Sequence, residues 1–178
     1  YVTNAGEIQT SGWEVLLFAT PFKYGKFSWE ASLNWSTNEG KIVSIEEGIE
    51  DIVLFESFGI TNKYVRGGKI GDLYGYNYAK SPDGRNIIGT NGLPYVVFDS
   101  LTLAGNAMPD WIAGLTNTFK YQGLEFSFLW EWKKGGDVFD MGRRNSLRNG
   151  QTLETERRNE RVLFDGVKKV VGADGSIT

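Results

Sequence analysis

The sequence predicts an all-β chain built from antiparallel hairpins, and three observations predict it. Aromatic residues make up 14% of the 178 residues and stand beside 23 glycines, a mixture of pleat-filling side chains and turn formers that suits strands better than helices. Two segments, Phe27 to Thr37 and Leu124 to Lys133, alternate apolar and polar residues with a period of two. Each of them follows another apolar stretch across a short turn containing glycine, the mark of a hairpin.

Taken in chain order, Gly12 to Phe22 is the first expected strand, leading through Lys23-Tyr24-Gly25-Lys26 into the second. Trp13, Val15, Leu17 and Ala19 share one of its faces, while Leu16 and Phe18 fall on the other. In the second strand, 27–37, Phe27, Trp29, Ala31, Leu33 and Trp35 line one face and Ser28, Glu30, Ser32, Asn34 and Ser36 the other. Asn38-Glu39-Gly40, Gly67-Gly68, Pro82-Asp83-Gly84 and Asn91-Gly92 are turn signals, so 38–110 is expected to be a long loop with a small hairpin around Asn86 to Val97. The third strand, 111–121, turns at Gln122-Gly123 into the fourth, 124–134, where only Leu129 breaks the alternation. From 135 to 178 the chain reads as a second loop, polar and arginine-rich through Arg143-Arg144-Asn145 and Arg157-Arg158-Asn159-Glu160-Arg161. It stops at Gly175-Ser176-Ile177-Thr178 without a closing strand, as a piece of something longer would. No repeat beyond the two hairpins and no internal domain boundary is visible.

Composition narrows the chemistry. Lys and Arg number 19 against 22 Asp and Glu, which leaves no basic footprint for nucleic acid or an anionic membrane surface. Cysteine and histidine are both absent, so disulfides, thiolate metal sites, the common nucleophile and base pairs and nearly all zinc or copper sites are excluded. Carboxylates alone remain for chemistry or for hard cations. No run of about 18 apolar residues exists to form a membrane helix, and Tyr1-Val2-Thr3-Asn4 lacks the charged and apolar regions of a signal peptide. Barrel strands escape such a test because their hydropathy averages out.

Alternation by itself fits a soluble β-sandwich, for instance a carbohydrate-binding module. Three features favour a membrane wall. Strands of 11 residues span roughly 36 Å, which projects to about 25 Å when tilted near 45°, the height of an outer-membrane apolar band. All six tryptophans, Trp13, Trp29, Trp35, Trp111, Trp130 and Trp132, occupy the apolar register of the four strands. With both tight turns at one end, Trp13, Trp35, Trp111 and Trp132 gather at the far end, and Phe22, Phe27, Trp29, Phe119 and Tyr121 near the turns, as two girdles would. Tight turns also alternate with long connections, the pattern of short periplasmic turns and long external loops. The expectation is therefore a segment of an antiparallel up-and-down transmembrane β-barrel with tryptophans outward to lipid.

Several motifs resemble the SusC/RagA-like TonB-linked outer-membrane proteins. Asn4-Ala5-Gly6-Glu7-Ile8 with Gly12-Trp13-Glu14 is similar to the family's N-x-G-x-I-x-N-x-G-x-E signature, Thr10 standing where asparagine is usual. Gly105-Asn106-Ala107-Met108-Pro109-Asp110-Trp111, with Gly114 and Asn117, looks like the G-N-x-x-P-x-W segment that opens a strand, and Trp132-Lys133-Lys134-Gly135-Gly136-Asp137 like its W-x-x-G-G-D strand end. Thr152-Leu153-Glu154 through Arg161-Val162-Leu163-Phe164-Asp165-Gly166-Val167 is similar to a loop of these proteins. The resemblance spans nearly the whole chain and no motif in it is catalytic. It implies a late fragment of a barrel of roughly 22 strands, in the outer membrane of the cell, working as an active importer of large nutrients such as oligosaccharides or peptides. It also implies a SusD-like surface lipoprotein as lid and the TonB complex as driver, reached through an N-terminal region that this chain lacks along with the plug domain. On this reading the segment is no enzyme and needs no cofactor or metal.

The candidate site residues follow from that geometry. Glu30, Asn34, Glu125 and Glu131 are expected to face the lumen, to meet plug or substrate or simply to wet the inner wall. Glu46, Glu47, Glu50 and Asp51 form the densest acidic run, which reads as a solvated loop; calcium binding or a carboxylate-dependent hydrolase is the weaker alternative, since EF-hand spacing is lacking. Tyr64, Tyr74, Tyr76 and Tyr78 offer stacking surfaces for sugars or the lid, or else pack the loop on itself. Gly67-Gly68-Lys69-Ile70-Gly71 lacks the spacing of a phosphate loop.

Overall fold

A computed structural model describes residues 6–168. Its strands are β1 (Gly6–Tyr24), β2 (Phe27–Ile45), β3 (Asp51–Ser57), β4 (Ile60–Val65), β5 (Asp72–Tyr78), β6 (Ile87–Ile88), β7 (Val96–Asn106), β8 (Pro109–Tyr121), β9 (Leu124–Gly135) and β10 (Val167–Lys168). One α-helix, α1 (Met141–Arg148), and a 3-10 turn, Leu153–Arg157, complete the set. Among the described residues no helix is long and apolar enough to cross a membrane. The chain divides into two units, one holding the described residues up to Glu56 with Thr61–Leu73 and Ala104–Asp137, the other Ser57–Ile60, Tyr74–Leu103 and the described residues from Val138 onward.

The first unit is built on an antiparallel sheet in the order β1-β2-β8-β9. Phe27 pairs with Tyr121, so the turn after Tyr24 and the turn at Gln122-Gly123 lie at the same end. Both residues of the second turn have positive φ, Gln122 at 48° and Gly123 at 90°, the geometry that matches the twist of a two-residue hairpin. The outer edges of β1 and β9 have no ladder partner among the described residues.

The four main strands fall where alternation places them, but the first two are longer, at 19 residues each. Asn38-Glu39-Gly40 is strand rather than turn, because Gly12, Ser11 and Thr10 pair with these three residues and carry the ladder on. Backbone pairing across a polar stretch overrides its local turn propensity. β1 also contains a bulge: Ala19 pairs with Ala31 and Phe22 with Trp29, leaving Thr20 and Pro21 opposite Glu30 alone. Proline cannot donate to a ladder, so a bulge is where it fits. The extra residue flips the parity of the strand and returns Phe22 and Tyr24 to the face of Trp29.

The segment expected as one loop, 38–110, instead continues β2 and carries β3 to β7; β3, β4, β5 and β7 form a second four-stranded sheet in the order β3-β4-β5-β7. The small hairpin expected around Asn86 is present as β6 bridged from Ile88 to Pro94, with Gly89 N bonding Leu93 O at 2.8 Å. The arginine-rich tract expected as loop is partly helical. Asp140 caps α1 by accepting from the Arg143 amide at 2.8 Å, and Gly150 with φ of 74° follows its end.

Candidate functional site

The wall sheet β1-β2-β8-β9 has two chemically distinct faces, and the register says which residue lies on each. Paired residues in antiparallel strands project to the same side. Row by row, Phe22, Trp29, Phe119 and Phe126 share one side near the turns, and Val15, Trp35, Ala113 and Trp132 share it further along. Trp13 lies beside Thr37, Trp130 beside Leu115, and Trp111 beside Lys134, so all six tryptophans are on this face.

The rings on it touch. Phe22 meets Phe27 at 5.8 Å, Phe27 meets Phe119 at 6.3 Å, and Trp29 stacks on Phe119 at 5.8 Å. Phe119 reaches Phe128 at 6.1 Å, and Phe128 reaches Phe126 at 5.6 Å and Trp130 at 5.2 Å. Trp130 then packs edge-on against Trp132 at 6.1 Å. This band of rings is not covered: Phe22, Phe126, Trp130 and Trp132 are 52, 64, 55 and 45% exposed. In water such a contiguous apolar surface costs free energy at about 25 cal/mol per Å². One polar group sits within it. Asn117 is buried and accepts from the Trp29 indole at 3.1 Å, which fixes that ring against the sheet.

The opposite face carries the predicted polar set. Glu30 receives the Lys120 ammonium at 2.8 Å, and Lys120 in turn pairs across the ladder with Glu125. Asn34, Gly114 and Glu131 form one row, and Gly114 leaves room for the Asn34 amide, whose Oδ1 would lie 2.6 Å from an added Cβ. Thr118 and Ser127 share a hydrogen bond at 3.0 Å. The face is not uniformly polar, because Leu16, Phe18, Ile112 and Leu129 also point to it, Phe18 and Leu129 in one row with Ser32 and Thr116. A hollow of about 430 Å³ there is lined by Phe18, Glu30, Ser32, Thr116 and Thr118 among others.

A third constellation was not foreseen in sequence: the G-N-x-x-P and G-G-D segments meet. The Asn106 amide bonds the Asp137 carboxylate at 2.8 Å, and the Asp137 amide returns a bond to the Asn106 carbonyl at 2.7 Å. The Asn106 side chain donates to Asp72 Oδ1 at 2.7 Å and Ile70 O at 3.0 Å, and accepts from the Met108 amide at 2.7 Å. Asp72, only 5% exposed, also accepts from the Lys69 amide at 2.7 Å. These glycine and asparagine motifs thus brace the end of the wall opposite the tight turns. A hollow of about 320 Å³ lies beside the brace, lined by Thr37, Lys69, Asn106, Asp110 and neighbours. The Glu39 carboxylate, 3.0 Å from Lys69, holds that ammonium above its ordinary pKa.

The remaining candidates disperse. Tyr64 lines a small apolar cavity of about 170 Å³ with Ile8, Ile42, Ile45 and Ile52. Tyr74, Tyr76 and Tyr78 alternate along β5 and so share its face; Tyr76 packs edge-on against Phe98 at 5.2 Å and stays exposed, as does Tyr78. In the acidic run Asp51 is paired with Lys63 at 2.5 Å, while Glu46, Glu47 and Glu50 are exposed. No group of three or more potential metal ligands converges among the described residues. Asn4 and Ala5 of the first motif lie outside the described residues.

No protein-family model matches the sequence. The TonB-dependent receptor P26 of Formosa agariphila is 28% identical over 166 residues, covering 82% of this chain and 17% of that receptor. The TonB-dependent receptor P39 of the same organism is 26% identical over 192 residues, covering 76% and 18%, and P3 is 21% identical over 162 residues, covering 78% and 16%. The chain is similar to TonB-dependent receptors. It spans less than a fifth of the length of the curated receptors it matches. The antiparallel pairing of β1, β2, β8 and β9 accords with an all-β chain.

Proposed function

We propose that this chain is a late segment of the wall of a SusC/RagA-like, TonB-dependent transporter in the outer membrane. The observation that carries the reading is the uncovered band of touching rings on one face of a continuous four-stranded antiparallel sheet. Hydrocarbon accepts that face; the face of Glu30, Asn34, Glu125 and Glu131 then lines a wet lumen, as alternate residues of a barrel strand do. The unpaired edges of β1 and β9 join neighbouring strands of a barrel of about 22 strands.

In this arrangement the tight turns are periplasmic, and the brace of Asn106, Asp72 and Asp137, the second sheet and α1 stand outside the cell. The exposed Tyr76 and Tyr78 belong to the surface that meets a glycan or peptide substrate or a SusD-like lid. The segment serves import of large nutrients as structure and lining, with no catalytic step and no cofactor of its own, and TonB acts through a part of the receptor outside it. Nucleic acid is not a partner.

Protease accessibility in whole cells tests the topology. Trypsin added outside is expected to cut within Arg143 to Arg161 and to spare Lys23 and Lys26 beside the tight turn, with nutrient accumulation lost when TonB is deleted. Cleavage at Lys26 in intact cells with the arginine tract untouched would reverse the assignment.

A further inference from the structure

β3 has no role in the wall sheet. It is the outermost strand of the sheet β3-β4-β5-β7, so one of its edges lacks a ladder partner among the described residues. Ile52-Val53-Leu54-Phe55 contains no charge and no proline, and Val53, Leu54 and Phe55 are 52, 51 and 59% exposed. Edge strands are ordinarily guarded by a central charge, a proline or a bulge against pairing with other chains. β3 has none of these at its centre, and successive exposed side chains put apolar surface on both of its faces.

Charge stands instead at its two ends. Glu46, Glu47 and Glu50 precede the strand and Glu56 lies near its end, all exposed, while Asp51 is occupied by Lys63. A second copy of the chain is disfavoured as the partner. Antiparallel pairing of two β3 strands sets the Glu50 end against Glu56, and parallel pairing sets each acid against itself; like charges directly opposite destabilise a sheet.

We propose that the outer edge of β3 is a docking edge for an extended protein segment that is apolar at its centre and carries lysine or arginine at both ends. Main-chain hydrogen bonds to the open edge supply affinity, alternate side chains of the segment cover Val53 with Phe55 on one face and Leu54 on the other, and the terminal cations meet Glu50 and Glu56. The proposal holds whether or not the wall sheet faces lipid.

The test uses the intact protein in detergent and two synthetic peptides of alternating valine and threonine, one with paired lysines at each end and one with paired glutamates. The lysine-flanked peptide is expected to bind, to weaken as salt rises, to shift a labelled carbonyl to the infrared position of β-sheet, and to protect the amides of β3 from exchange. In the double variant Glu50→Lys with Glu56→Lys its affinity should fall about tenfold, and the glutamate-flanked peptide should bind in its place. That rescue separates lost recognition from lost folding. Equal binding of both peptides, no binding of the lysine-flanked peptide, or self-association of the protein through β3 would each overturn the proposal.

Discussion

Replacing Phe128 by arginine probes the ring band at one of its two most connected points, Phe119 being the other. Phe128 touches Phe119, Phe126 and Trp130 at 6.1, 5.6 and 5.2 Å, and aromatic pairs contribute about 0.5 to 1.5 kcal/mol each, so removing the ring costs about 2 to 4 kcal/mol whatever surrounds it. Phe128→Ala measures that loss. Phe128→Arg adds the cost of a cation on the lipid side, about 2 to 4 kcal/mol near the midplane of a barrel wall. The difference between the two variants is therefore the quantity of interest. Ser127→Arg, one residue away on the opposite face, is expected to stay within about 1 kcal/mol of the parent because that face is wet. The assay is reversible urea unfolding of the intact protein folded into phospholipid vesicles. Equal destabilisation by alanine and arginine at position 128 would mean that the ring face meets water or polar protein and would refute the reasoning.

The bulge in β1 makes a deletion prediction: removing Thr20 leaves Pro21 alone opposite Glu30 and keeps Phe22 beside Trp29, so the folded band on a heat-modifiability gel should persist, whereas removing Leu17 inverts Trp13 and Val15 and should abolish it. Asn106→Ala removes the donor to Asp72 Oδ1 and the acceptor for the Met108 amide; a loss of about 1 to 3 kcal/mol is expected, read as faster hydrogen exchange at Met108 and Lys69. The Arg143 guanidinium, 2.6 Å from Glu154, holds that carboxyl below the usual glutamate range. Because the folded pKa is the lower one, the pairing contributes fully at neutral pH and is lost only as pH falls through that lowered value. Amide protection in α1, taken relative to the intrinsic exchange rate at each pH, should hold with acidification until then, and Glu154→Gln should remove the loss of protection.

The parts of the fold legible in sequence were those where burial pattern and backbone agree. Phe27 to Thr37 and Leu124 to Lys133 alternate, and the register keeps every tryptophan on one face. The parity change at Thr20-Pro21 was visible only as a proline in an apolar strand, and placing it needed the partner strand. Asn38-Glu39-Gly40 misled because local turn propensity is weak against pairing with Thr10 to Gly12. β5 had a usable signal, since Tyr74, Tyr76 and Tyr78 recur every second residue, but the surrounding glycines hid it. The brace joins Asp72 to Asn106 and Asn106 to Asp137, contacts separated by 34 and 31 positions, and no periodicity reports such pairs. α1 was missed because its arginines read as loop, although Asp140 three residues before Arg143 is a capping signal.

The central claim is that the tryptophan face of β2 and β9 lies in hydrocarbon, and depth-dependent quenching by brominated lipids tests it most directly. With the intact protein in vesicles and single tryptophans retained at Trp29, Trp35 or Trp130, bromine placed along the acyl chains is expected to quench all three. Emission at those positions that is indifferent to the brominated chains, yet quenched by iodide from the water, would contradict the account.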